Sequence, residues 1–155
     1  MKVQIQNSLF MVSEIKVTYQ PKFKACERPK ITQSKDAYNI LFNNWDHGRI
    51  QMSEQFFILL LNRANSVIGM TEISSGGVSG TLVDPKLVFG IALKACASGI
   101  ILCHNHPSGN LRPSQADLSL TRRLEEAGKL LDLLVLDHII LTKQGYFSFK
   151  DEGLI

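Results

Sequence analysis

Apolar and polar residues alternate over 12–19, with Ile15, Val17 and Tyr19 set against Glu14, Lys16 and Thr18. That period of two predicts a half-buried strand ending at Pro21, and the polar stretch 22–32 predicts a loop. From Ser34 the period lengthens. Ser34 can cap a helix, Asp36 sits in its first turn, Ala37, Ile40, Leu41 and Trp45 share one face, and Gly48 stops it. Residues 55–61 are then almost continuously apolar, too short a run for an independent helix and typical of a central strand buried on both faces. Asn62-Arg63-Ala64-Asn65 has turn chemistry, so 67–73 predicts the second strand of a hairpin, and Gly76, Gly77 and Gly80 make the next connection permissive.

Asp84-Pro85 predicts a second helix whose apolar stripe is Leu87, Val88, Ile91, Ala92 and Ala95, ended by Gly99. A short buried strand over 100–103 delivers His104 and His106 at its C-terminal end, where Pro107-Ser108-Gly109-Asn110 breaks away as a loop. Residues 114–129 predict a third helix, with Leu120 and Leu124 inward and Arg122, Arg123, Glu125 and Glu126 solvated. Apolar strand material follows at 133–136 and 138–142, a turn at Gln144-Gly145, and a last strand at 146–149. Hairpins mixed with helices that return to the sheet predict an α/β (α+β) three-layer sandwich around a mixed sheet.

Composition narrows the setting. A chain of 155 residues, 45% hydrophobic, fits a single domain over 1–155, and at that size folding buries about 68–70% of the unfolded surface. Cys26, Cys96 and Cys103 cannot all pair and lack CxxC spacing, so they are expected as reduced thiols. The longest aliphatic and aromatic run, 56–61, is far short of a membrane span, and Gln4, Gln6, Asn7 and Glu14 interrupt any signal-peptide core. A cytoplasmic protein is the expectation. The net charge is +3, with Lys16, Lys22, Lys24, Arg28, Lys30 and Lys35 making the first part mildly basic. That segment is too dilute for the dense basic stripe of a nucleic-acid surface.

Candidate chemistry concentrates around His104-Asn105-His106. In an extended chain, side chains two apart share a face, so both imidazoles can converge on one ion, and Asp117 can complete the set. Two neutral nitrogens and one carboxylate oxygen are a donor set that holds Zn²⁺ with the fourth position left to water, which suggests catalysis rather than structure. Ser114 and Asp117 have a simpler reading as a near capping box at the start of the third helix. Cys103 should face the opposite side of the strand, in the core. His138 reads as a packed structural histidine, with support of a ligand as the alternative, and His47 carries no signal. The run His104-Asn105-His106 is contiguous, unlike the separated residues that name the HNH nucleases.

His104-x-His106, seven residues, Ser114, two residues, Asp117 resembles the JAMM signature of the JAB/MPN metallopeptidases. The surrounding His-Asn-His-Pro-Ser-Gly-Asn, with Asp137-His138-Ile139-Ile140 and Tyr146-Phe147-Ser148-Phe149 downstream, is similar to the RadC branch from about Ile31 to the C-terminus. The resemblance implies a JAB/MPN-like, cytidine-deaminase-like sandwich, with 1–30 as a strand and loop ahead of a metal-binding core over 31–155. It implies zinc on His104, His106 and Asp117, and an upstream glutamate at the start of a buried strand that contacts the bound water. Glu54 matches that place and Glu72 is the fallback. The implied activity is hydrolysis of a peptide or isopeptide bond in a protein or peptide substrate, with Glu54 as general base and Ser114 serving the oxyanion. Two other readings stay open: an accessory of DNA repair or recombination in a mobile element, and a non-catalytic MPN scaffold. Longer RadC proteins carry a helix-hairpin-helix region ahead of this domain, which is not expected within these 155 residues.

Overall fold

In the computed structural model, which describes residues 12–13, 18–76 and 81–155, the apolar run forms β1 (Gln55–Leu61). Its antiparallel partner is β2 (Val67–Ser75), two residues longer than the sequence predicts. The turn between them is made by Asn62, whose Oδ1 accepts from the N–H groups of Ala64 and Ser66, and by Asn65 in the left-handed region at φ 58°. β1 also pairs antiparallel with β3 (Gly99–Asn105), which runs parallel to β4 (Leu134–Leu141), and β4 pairs antiparallel with β5 (Tyr146–Ser148). Among the described residues the result is a mixed five-stranded sheet in the order β2-β1-β3-β4-β5. Residues 14–17 of the strand expected over 12–19 lie outside the described residues, and 12, 13, 18 and 19 are not in a strand; Gly77 and Gly80 also lie outside the described residues.

Among the described residues, three α-helices cover the sheet, as expected from the mixture of periods. α1 (Ser34–Asn44) packs Ala37 and Leu41, with Trp45 just beyond it, against Leu59, Leu61, Ile101, Cys103, Ile139 and Leu141. On the other face, Val88, Phe89 and Ala92 of α2 (Pro85–Lys94) and Leu124 of α3 (Gln115–Leu130) meet Phe56, Ile58, Leu60, Ile100 and Leu102. Strand alternation therefore sends Cys103 and Asn105 toward α1 and His104 toward α2 and α3. Among the described residues, no helix is long and apolar enough to cross a membrane.

Several boundaries differ from the sequence pattern for identifiable reasons. Gln33, not Ser34, is the residue before α1. Asp36 closes that end by accepting from the Thr32 N–H, the Thr32 hydroxyl and the Gln33 N–H, while the Ser34 hydroxyl turns to Tyr146 and Asp151. α2 stops at Lys94, followed by a turn with Cys96 at φ 53°. Gly99 lies inside β3 instead, where a Cβ would sit 2.8 Å from Leu136 Cδ1. Leu87 is exposed and Phe89 takes its place inward. β4 continues through Asp137 rather than breaking there, because that buried carboxylate accepts from the Ser148 hydroxyl, the Lys150 N–H and the His138 N–H. Burial still pushes its pKa up.

Gly128 near the end of α3 is fixed by a close approach. A Cβ there would meet the Leu133 carbonyl oxygen at 2.4 Å and Phe89 Cε1 at 3.5 Å, and that turn is tied by Leu131 and Leu133 N–H groups donating to the Gly128 carbonyl. Alanine ordinarily gains roughly 1 kcal/mol over glycine in a helix. Here the clash is with backbone, so Gly128→Ala is expected to destabilise by about 2 kcal/mol. Thermal unfolding should register this as a fall of about 4–8 °C; an unchanged midpoint would show that the 133 carbonyl can step aside.

Candidate metal centre

His104 occupies the second-last position of β3, and His106 follows the strand directly. His104 Nε2 lies 3.0 Å from His106 Nε2 and 3.3 Å from Asp117 Oδ1, and Asp117 Oδ2 is 3.7 Å from His106 Nε2. One donor atom from each residue falls within 4.8 Å of the others. His106 is oriented by the loop after β3: its N–H donates to the Leu141 carbonyl, and Gly109, at φ 79°, turns the chain so that the Asn110 carbonyl reaches His106 Nδ1 at 2.5 Å. A carbonyl accepts only, so Nδ1 carries the proton and Nε2 presents a lone pair to the centre.

Asp117 reaches the histidines from the first turn of α3. The capping box expected from the sequence is formed, with Ser114 Oγ accepting from the Asp117 N–H at 3.1 Å, and Asp117 Oδ2 accepting from the Ser114 N–H at 2.7 Å and hydroxyl at 2.6 Å. The capping and site readings of these two residues are therefore compatible, since one carboxylate closes the helix and faces both imidazoles. Burial opposes ionisation of Asp117, but the neighbouring His104 and His106 rings and the Ser114 hydroxyl outweigh it and hold its pKa well below the usual carboxylate range. The Asp117 carboxylate beside it raises the His106 pKa against the opposing effect of burial, with the Glu54 charge adding to the rise. Two ring nitrogens and a carboxylate crowded at these distances fit a divalent cation, which would replace lone-pair repulsion with three donor bonds.

The centre opens into a cavity of about 480 Å³ whose lining includes Glu54, Ser114 and Leu82. Glu72 is elsewhere, paired across from Phe57 on β2 and accepting from Gln55 Nε2 at 2.9 Å. Two further residues matter here: Asn105, which the sequence does not mark as part of the site, and His138, for which support of a ligand is only the alternative reading. Asn105, fully buried, turns its side chain away from the histidines. Its Oδ1 accepts from the Gln55 N–H at 2.7 Å, and its Nδ2 donates to the carbonyls of Ile50 at 2.7 Å and Ser53 at 3.0 Å. That clamps the segment bearing Glu54 to the strand bearing His104. The available signal was alternation, because an amide between two site-facing histidines points into the core and must find partners there. His138, read above chiefly as a packing residue, lies against the centre: its Nε2 is 2.8 Å from His104 Nδ1, and its ring stacks on Phe149 with centroids 4.6 Å apart. Burial pushes its pKa well below the ordinary imidazole value, with the His104 charge acting in the same direction.

Relatives share this domain. Residues 31–154 match the RadC-like JAB domain. A UPF0758 protein of Flavobacterium johnsoniae is 48% identical over 128 residues, covering 81% of this chain and 53% of its own. A UPF0758 protein of Clostridium acetobutylicum is 38% identical over 133 residues, covering 86% of this chain and 57% of its own, and one from Staphylococcus haemolyticus is 41% identical over 127 residues, covering 82% and 54%. The chain thus spans about half the length of the curated relatives it matches. With the match running from the start of α1 through the His104, His106 and Asp117 cluster to the C-terminus, the chain belongs to the RadC-like JAB domain family.

Proposed function

We propose that this chain is a zinc-dependent hydrolase of peptide or isopeptide bonds. The observation that carries this reading is the convergence of His104, His106 and Asp117 at the wall of a solvent-reached cavity that Glu54 and Ser114 also line. A closed structural site would use four protein donors, whereas three leave one position for chemistry. A zinc ion on these residues supplies acidification of a water to a pKa of about 7 and polarisation of the scissile carbonyl.

The chain's own groups do the rest. Glu54, held at the entrance of β1 by the Asn105 clamp, takes the proton from the attacking water and delivers it to the leaving amine. Ser114, whose hydroxyl proton rests on Asp117 Oδ2, turns it toward the oxyanion as the carbonyl becomes tetrahedral. The exposed Leu82 offers an apolar wall against which substrate excludes water.

The reading is tested by measuring cleavage of peptide and isopeptide libraries by the zinc-loaded chain, with the metal-stripped chain as control. Zinc-dependent cleavage supports it; a chain that takes up no zinc would overturn it and leave the scaffold reading. Within that assay Ser114→Ala is expected to slow turnover about a hundredfold, as removal of one oxyanion donor does. It should also cost about 1 kcal/mol in unfolding as a lost cap. A variant with the stability loss and a native rate would reduce Ser114 to its capping role.

A further inference from the structure

We infer that Thr121 and His138 are positioning residues that lock His104 in the tautomer able to bind a cation. The proposal deepens the hydrolase reading and rests on it for its purpose, although not for its geometry. A chain of short contacts runs inward from the centre: His104 Nδ1 to His138 Nε2 at 2.8 Å, His138 Nδ1 to Thr121 Oγ1 at 2.7 Å, and Thr121 Oγ1 to the Asp117 carbonyl oxygen at 2.6 Å. Thr121 and His138 are 1% and 0% exposed, so no water enters the chain from their side.

The proton positions follow from the last contact. Two oxygens at 2.6 Å need a proton between them, and the Asp117 carbonyl has none to give, so the single hydroxyl proton of Thr121 lies there. Thr121 Oγ1 can then only accept from His138, which places a proton on His138 Nδ1. His138 is sealed between Phe149 and Phe56, whose ring centroids lie 4.6 and 5.7 Å away, and a charged imidazolium in that setting would be costly. The neutral ring therefore presents a bare Nε2, which accepts from His104 Nδ1–H. His104 Nε2 is left with a lone pair, 3.0 Å from the lone pair of His106 Nε2.

Each histidine is thus fixed by an acceptor on its far nitrogen, His106 by a backbone carbonyl and His104 by a buried side-chain relay anchored on the ligand-bearing helix α3. The consequence is that a neutral His104 cannot move its proton to Nε2, between the two rings, without breaking the relay. Fixing the far nitrogen of a ligating histidine in this way commonly governs metal affinity by 10–100-fold.

The test compares Thr121→Val, which keeps the shape and removes the hydroxyl, with Thr121→Ser, which restores it. The deciding readout is the ring-nitrogen chemical shift of labelled histidines in the metal-free protein, well above the ordinary imidazole pKa of about 6.5. His104 is expected as the Nδ1–H tautomer in the native chain and Thr121→Ser, and as a mixture in Thr121→Val. Zinc competition against a chromophoric chelator should show Thr121→Val weakened roughly 10–100-fold and Thr121→Ser close to native. An Nε2–H tautomer of His104 in the native chain, or a Thr121→Val variant native in both tautomer and affinity, would overturn the proposal. Because the tautomer is read without metal, failure of the native chain to bind zinc would count against the hydrolase reading and leave the relay to be decided by the spectra.

Discussion

Glu54→Gln is expected to bind zinc as tightly as the native chain while cleaving peptide at least a hundredfold more slowly. The substitution preserves the volume and reach of the side chain and removes its basicity. General acid–base groups contribute about 10²–10⁴-fold to turnover, and Glu54 is asked to act twice in one cycle, on the water and on the leaving amine. Its position is independent of the three donor residues, being set by backbone: Asn105 holds the neighbouring Gln55 N–H, and the Glu54 carbonyl accepts from the Gly76 N–H at 2.8 Å. Metal content per chain and turnover, measured on the same preparation, separate the alternatives. Loss of zinc with loss of turnover would make Glu54 a ligand, and native turnover would move the base elsewhere. Glu72→Gln is the matched control, expected to stay near the native rate because that carboxylate is engaged with Gln55 outside the cavity.

The sequence revealed the layers more readily than the links between them. Binary pattern identified β1 from its unbroken apolar run and placed Cys103 in the core from alternation alone, because burial imposes those patterns directly. It misassigned the cap of α1, where Asp36 reaches back across Gln33 to Thr32, and it split β4 at Asp137, where satisfaction comes from Ser148 and Lys150 in the following segment. Both misses concern hydrogen bonds whose partners the hydrophobic pattern does not encode. The same holds at the centre. His104, His106, Ser114 and Asp117 are legible as a spaced motif, since each must present a specific atom. Asn105 and His138 act through long-range contacts, 50 residues back to Gln55 and 34 residues back to His104, so the local pattern shows at most which way they face and not which partners they meet.

His106→Ala is expected to abolish zinc binding while leaving the fold intact, and the choice of histidine decides how clean that result is. His106 stands beyond the end of β3 and is partly exposed, and its backbone bond to Leu141 does not involve the side chain. Removing it takes away one of three donors, a larger change than the outer contacts that alone cost 10–100-fold, so affinity should fall by roughly a thousandfold or more. His104→Ala would also empty the site, but it would leave His138 Nε2 buried without its donor, at a cost of about 1–3 kcal/mol unrelated to metal. Thermal unfolding with and without zinc reads the difference. A ligand at a hundred times its Kd stabilises by about 2.7 kcal/mol, which for a chain of this length raises the midpoint by about 5–11 °C. The native chain should show that rise. His106→Ala should unfold near the metal-free native midpoint and show no rise, and His104→Ala should unfold below it. A His106→Ala variant that still climbs with zinc would place the ion on donors other than these three.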